Sequence, residues 1–122
     1  MSRDIRFRAW DKVRKVMFII FDSTNQTEWY LPNLKDNFEV MQYTGLKDKN
    51  KKDIYEGDLV WTYEPEEGKL SEKIIYENGS FRVNCLSGDK IDYPIGSILS
   101  KYIEVIGNIF ENPELLKEEA KC

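Results

Sequence analysis

Alternating apolar and polar positions near the start of the chain predict a β-hairpin. The alternation runs through Ile5, Arg6, Phe7, Arg8 and Ala9, and side chains two positions apart on a strand share one face. A mostly polar stretch at residues 11–15 predicts the hairpin connection. The continuous apolar run Val16–Phe21 then predicts a second strand that is buried on both faces.

Strand signals recur through the rest of the chain. Residues 39–44 predict a strand that ends at Gly45, and the charged and polar residues 47–53 predict a connection. Further strands are predicted over residues 58–63, 73–77, 80–85 and 102–110. Asn78-Gly79 joins two of these strands, and this dipeptide favours a type I′ turn because both central residues must adopt positive φ.

These elements place the chain in the mainly β class, as a β-rich α+β fold. Residues 1–52 form a β-rich N-terminal region, and the regular strands within residues 53–110 predict a small barrel or sandwich. Residues 111–122 predict a short C-terminal helix and tail, because Asn112 can cap a helix that has Pro113 at its first position. We expect the three segments to form one compact unit.

Composition excludes several classes of function. The chain of 122 residues contains no His, which excludes Ser-His-Asp catalysis and His-ligated zinc or iron. No CxxC pair and no phosphate-binding glycine loop is present. The longest apolar run has six residues, whereas a membrane helix needs ~20. We therefore predict a protein that is not an enzyme, has no cofactor or metal, and does not bind membranes.

Charge is distributed unevenly along this acidic chain. The net charge is −4, yet six Lys or Arg side chains against two carboxylates give residues 1–21 a charge of +4. A second basic cluster lies within residues 47–52. The candidate interaction residues from these segments are Arg6, Arg8, Arg14, Lys15, Lys47 and Lys49. They form either a solvated face, the reading we favour, or an anion-binding patch for a phosphate backbone.

Carboxylates elsewhere in the chain offer partners for this basic patch. Residues 22–122 carry a charge of −8. We expect part of the patch to be occupied by ion pairs within the chain or between subunits, with Glu104 among the acceptors. Little positive charge would then remain for a phosphate backbone.

Aromatic side chains in the predicted barrel supply a second candidate surface. Trp61 and Tyr63 are assigned to an interaction surface, and together with Tyr76 and Phe81 they could line a ligand groove. The alternative, which we favour, is that these rings fill the core or form cross-strand pairs.

Four short strings along the chain carry a family resemblance. They are FRAWD at 7–11, MQYTGLKDKN at 41–50, IYEGD at 54–58 and IEVIGNIFENPELL at 103–116. In this order they resemble YopX proteins of bacteriophages and prophages. The resemblance implies a β-rich protein whose C-terminal part is an SH3-like barrel, and it supplies no catalytic or ligand residues because the family has no established activity. The chain departs from the family at Lys51, where Gly is common, and this argues against a tight Asn-Gly-type turn after Asn50.

Two functions remain open from the sequence. We favour a non-enzymatic phage accessory protein that binds a host or phage protein through a β-rich surface, with homo-oligomer formation as a further option. The alternative is a nucleic-acid-binding module that uses the basic N-terminal hairpin and the Lys47–Lys52 segment. Charged residues interrupt the positions where a signal peptide requires apolar ones, so we expect the cytoplasm of the bacterial host.

Overall fold

The computed structural model describes residues 4–23, 27–28, 37–64, 68–85, 93–98 and 100–117, and within them the chain is mainly β, as predicted. Its strands form two antiparallel sheets. The strands of the N-terminal sheet are β1 (Arg6–Asp11), β2 (Val16–Asp22), β3 (Thr27–Glu28), β4 (Phe38–Lys47) and β5 (Asp53–Tyr55). The strands of the C-terminal sheet are β6 (Asp58–Glu64), β7 (Gly68–Glu77), β8 (Ser80–Cys85), β9 (Tyr93–Pro94) and β10 (Ile103–Asn108).

The N-terminal sheet has the strand order β3-β2-β1-β4-β5 and contains the predicted hairpin. Asp11 organises the hairpin turn, since its Oδ1 accepts hydrogen bonds from the backbone N–H groups of Val13 (2.9 Å) and Arg14 (3.0 Å). The expectation that β2 is buried on both faces is wrong, because Val16 is 47% and Ile19 is 41% exposed. Among the described strands, only the two-residue β3 lies outside β2, so much of this strand has no neighbour on that side.

The C-terminal sheet has the strand order β10-β6-β7-β8-β9 and supplies most of the core. The turn between β7 and β8 is confirmed as type I′, since Asn78 and Gly79 have φ values of 53° and 79°. The largest cluster of buried side chains comprises Ile54, Val60, Ile74, Val83, Ile95 and Ile103. Two antiparallel sheets are compatible with the SH3-like barrel, which stays a prediction, as does the division at residues 52 and 110.

One buried carboxylate organises the connection between β4 and β5 and binds it to β10. Asp48 is 3% exposed, and it accepts hydrogen bonds from the backbone N–H groups of Asn50 (2.8 Å), Lys52 (2.9 Å) and, in β10, Val105 (2.9 Å). Lys51 has a φ of 66°, and its backbone N–H donates to the Asp48 carbonyl at 3.0 Å. Asn50 has no positive φ, so this turn is not of the Asn-Gly type, in agreement with the expectation drawn from Lys51, and it forms without glycine.

β5 links the two halves of the protein. It pairs with β4, with Tyr43 opposite Tyr55, while the side chain of Ile54 packs into the core of the C-terminal sheet. β4 does not end at Gly45, contrary to the expectation. The positive φ of 89° at Gly45 accommodates a register shift, so the strand continues to Lys47.

The C-terminal segment forms a 3₁₀ helix over Pro113–Lys117, as other short 3₁₀ helices do at Ile95–Ser97 and Ser100–Tyr102. Asn112 precedes it, but its Oδ1 accepts the backbone N–H of Asn108 at 3.2 Å, a bond that points back toward β10. A Cβ added at Gly107 would lie 2.4 Å from that Oδ1. The predicted side-chain cap is therefore replaced by a contact that needs a glycine beside it.

Candidate functional site

Arg6 lies on β1 and meets several acidic partners. Its guanidinium is paired with Asp4 (2.6 Å), Asp22 (3.7 Å) and Asp53. It also lies 5.0 Å from the centroid of the Tyr43 ring. The hydrogen bond to Asp4, together with the charges of these carboxylates, raises the pKa of Arg6 despite partial burial. This cation is therefore neutralised within the chain.

Arg8, two positions along β1, joins the N-terminal sheet to the start of β6. Its Nη2 lies 2.7 Å from Oδ1 of Asp58, a carboxylate that is 2% exposed, and its guanidinium lies 4.5 Å from the Tyr55 ring centroid. The other oxygen of Asp58 accepts the Tyr55 backbone N–H at 2.8 Å. Burial raises the pKa of Asp58, and the charge of Arg8 opposes that rise. The pair thus holds the two sheets together.

The predicted lysines of the second basic cluster are also paired. Lys47 Nζ lies 2.5 Å from Asp53, and Lys49 Nζ lies 3.3 Å from Glu104. The Tyr63 hydroxyl donates to Glu104 at 2.7 Å, and this bond, with the Lys49 charge, lowers the pKa of Glu104. Lys49 also lies over the Tyr63 ring, 4.8 Å from its centroid. Arg6 and Arg8 confirm the expectation that part of the basic hairpin forms ion pairs within the chain. Glu104, expected among the acceptors for the hairpin, pairs instead with Lys49 of the second cluster.

The hairpin tip, which is the turn formed by residues 12–15, differs from this paired region. The Arg14 side chain is 83% exposed, and its contact with Asp11 is long, at 3.9 Å. Lys15 is exposed as well. Val13 lies between the basic residues of the tip and is 73% exposed. Arg14 and Lys15 therefore face solvent next to an exposed apolar side chain, whereas the exposed Lys47 and Lys49 are ion-paired.

An apolar groove of about 560 Å³ adjoins the hairpin tip. Its apolar lining consists of Val13, Val16, Phe18, Ile19 and Phe38. Val16, Asp11 and Phe38 are register neighbours across β2, β1 and β4, and Phe18 lies two positions from Val16 on the same face. The groove therefore lies across one face of the sheet and includes Ile19 where it meets β2. The sequence does contain the signal, the apolar run Val16–Phe21, but such a run equally describes a buried strand.

The four aromatic residues of the predicted ligand groove do not share one face. Tyr76 lies opposite Phe81, and their rings are edge-to-face with centroids 5.0 Å apart, which confirms the cross-strand alternative for this pair. In the pairing of β6 with β7, Trp61 lies opposite Ser71. Positions of opposite parity on β7 point to opposite faces, so Trp61 and Tyr63 lie on the other side of the sheet.

A polar cavity of about 460 Å³ lies beside the buried ion pair, lined in part by Arg8, Lys52, Asp58 and Asn108. The Asn108 amide is engaged internally, because its Oδ1 accepts the backbone N–H groups of Phe110 and Glu111. Metal ions have no site of three or more His, Cys, Asp or Glu in the parts of the chain that the structure describes. Within the same ranges, no helix is long and apolar enough to cross a membrane.

The fold and site define a small two-sheet β protein. Its hairpin has ion-paired basic residues in the stem, Arg6 and Arg8 on β1, and an exposed tip. The family model described as YopX protein matches residues 6–117. The chain belongs to the YopX family, as the sequence resemblance indicates.

Solved structures agree with this assignment. The chain is similar to protein EF1440 from Enterococcus faecalis, with 31% sequence identity, a TM-score of 0.68, and coverage of 95% of this chain and 100% of that chain. It is also similar in fold to YopX from Bacillus subtilis, with 24% identity, a TM-score of 0.56, and coverage of 92% and 98%. No curated protein matches the chain.

Proposed function

We propose that this protein is a non-enzymatic interaction module, encoded by a bacteriophage or prophage, that binds another protein in the cytoplasm of the bacterial host. The observation that supports the proposal is the apolar groove beside the hairpin tip, where Val13 is 73% exposed. Exposed apolar side chains grouped on one surface are typical of protein interaction sites. The phage origin rests on the family resemblance.

Pairing of the basic residues favours a protein partner over nucleic acid. A protein that binds a phosphate backbone uses unpaired Lys and Arg side chains and releases counterions. Here Arg6, Arg8, Lys47 and Lys49 each contact a carboxylate of this chain. Lys47 and Lys49 are exposed but ion-paired, whereas Arg14 and Lys15 at the hairpin tip are exposed without a short ion pair among the described residues.

Affinity capture with matched variants tests this proposal. Immobilised protein is exposed to lysate of a bacterium that carries the phage, alongside the double variant Val13→Glu, Ile19→Glu. Leu116→Glu is the control, because Leu116 and Ile19 are equally exposed, at 41%, and Leu116 does not line the groove. We expect a defined protein on the wild type and the control that is absent from the double variant.

Two results would contradict the proposal. One is equal retention of the same proteins by all three baits. The other is micromolar binding of duplex DNA at physiological salt that falls steeply with added salt and disappears in the variant Arg14→Glu, Lys15→Glu. The second result would support the nucleic-acid alternative.

A further inference from the structure

The outer edge of β2 carries backbone groups that can pair with another strand. β3 pairs with β2 only at Phe21 and Asp22, and no other strand lies outside β2 among the residues whose structure is described. Val16–Ile20 therefore has β1 on one side and no strand on the other. An extended peptide can join such an edge through main-chain hydrogen bonds, while pockets along the edge select its side chains.

The side chains around this edge match an apolar strand. Val16, Phe18 and Ile19 of β2 line the groove, which continues across the sheet face to Phe38. Alternate residues of an added strand would lie on that face, since side chains two apart share a face. One extended segment could therefore pair with the β2 backbone and place apolar side chains at the groove.

Positive charge at one end of the groove favours acidic residues at one end of the bound segment. Arg14 also lines the groove, and Lys15 is its exposed neighbour. Among the residues that the structure describes, neither forms an ion pair as short as those of Arg6 and Arg8, since the Arg14 contact with Asp11 is 3.9 Å. Carboxylates on an incoming peptide would therefore add an attraction that the described part of the chain does not supply.

A second copy of this chain fits the edge less well. If two β2 edges paired antiparallel, Arg14 and Lys15 of one copy would reach the end of the other β2, where β3 already pairs with Phe21 and Asp22. A separate acidic segment has no such obstruction.

We infer that the outer edge of β2 binds an extended segment of the partner protein, with alternating apolar residues for the groove and Asp or Glu residues next to Arg14 and Lys15. This inference rests on the proposed function and names the chemistry of the partner. The hairpin would then bind its partner by taking up the partner's segment as an additional strand of the N-terminal sheet.

Selection from a displayed library of random peptides of about ten residues tests the inference. Full-length wild-type protein is the bait, and the double variant Val13→Glu, Ile19→Glu removes peptides that bind elsewhere. We expect enriched peptides with apolar residues at every second position and Asp or Glu at one end. Enriched peptides with helical spacing or basic ends would overturn the inference. Identical enrichment by the wild type and the double variant would overturn it as well.

Backbone pairing and charge are then measured separately on the best enriched peptide. Its binding should slow hydrogen exchange of amides within Val16–Ile20, and N-methylation of alternate peptide amides in one of the two possible phases should abolish binding.

The double variant Arg14→Glu, Lys15→Glu should weaken binding about tenfold, whereas Lys101→Glu, which is exposed and distant in sequence, should not. Tight binding without protection of β2 would refute strand addition. If lysate capture succeeds while these measurements fail, the proposed function stands and only the binding mode is wrong.

Discussion

Arg8 and Arg14 belong to the same β-hairpin, one in its stem and the other at its tip, yet their surroundings differ. The Arg8 side chain is 11% exposed and contacts buried Asp58 at 2.7 Å, whereas the Arg14 side chain is 83% exposed and contacts Asp11 at 3.9 Å. A buried ion pair requires both partners, because removing one leaves a charge without compensation. An exposed pair is weakened by water and salt. The stem cations therefore stabilise the fold, and the tip cations are accessible to partners.

The largest expected effect comes from removing the buried cation. Arg8→Ala leaves Asp58 buried without its ion pair, so we expect a loss of about 3–5 kcal/mol in the free energy of unfolding. Arg14→Ala is the matched control and should change it by less than about 0.5 kcal/mol. Urea unfolding of both variants provides the measurement. Equal effects of the two substitutions would mean that stem and tip do not differ in the way described.

A smaller effect is expected from the ring beneath Arg8. Burial, with a contribution from Asp53, raises the pKa of Tyr55 to about 12 in the folded protein, from an ordinary value of 10.0. The folded state holds this proton more tightly, so the contribution of Tyr55 to stability is complete below about pH 10 and is lost as the pH rises toward about 12.

Unfolding measured between about pH 9 and pH 12 tests this linkage. The stability of the wild type should fall more steeply with rising pH than that of Tyr55→Phe, which cannot ionise. Tyr76→Phe serves as the control because Tyr76 is 53% exposed, and this substitution should retain the steep wild-type slope. Parallel curves for wild type and Tyr55→Phe would show that the ring beneath the stem arginine titrates as it does in the unfolded chain.

The smallest expected effect concerns backbone conformation at the tip. Lys15 has a φ of 61°, a left-handed conformation that costs a residue with a Cβ about 1 kcal/mol or more. Lys15→Gly relieves that cost but loses more entropy on folding, so we expect a gain of about 0.5 kcal/mol in thermal or urea stability. Lys51→Gly, at a φ of 66°, should behave alike. Lys12→Gly, in the same turn without a positive φ, should destabilise instead; stabilisation by all three would point to charge and not to conformation.

Short-range features of the fold were accessible to sequence reasoning. The turn at Asn78-Gly79 follows from the residues themselves, since both accept the positive φ that a type I′ turn requires. At Lys51 the same reasoning argued only against an Asn-Gly-type turn, and the hydrogen bonds that Asp48 accepts hold a different turn there, with Lys51 left-handed and without glycine. Tertiary contacts outweighed the local preference.

Sequence reasoning identified only part of the candidate site. The basic residues were identified by type, but their accessibility was not, and the apolar run Val16–Phe21 was assigned to the interior. Such an apolar run is equally compatible with a central strand and with a strand near the edge of a sheet. The strand order β3-β2-β1-β4-β5 made β2 the strand with an open edge.

The sequence alone determined the mainly β class and both tight hairpins, because alternation and turn chemistry act over a few neighbouring residues. Only the tertiary structure decided which cations are neutralised. Arg6 meets Asp53 across 47 positions of the chain, and Arg8 meets Asp58 across 50. Contacts at such separations depend on how the two sheets pack, whereas Arg14 and Lys15 lie on an exposed turn where the described residues bring no carboxylate closer than the 3.9 Å contact of Arg14 with Asp11.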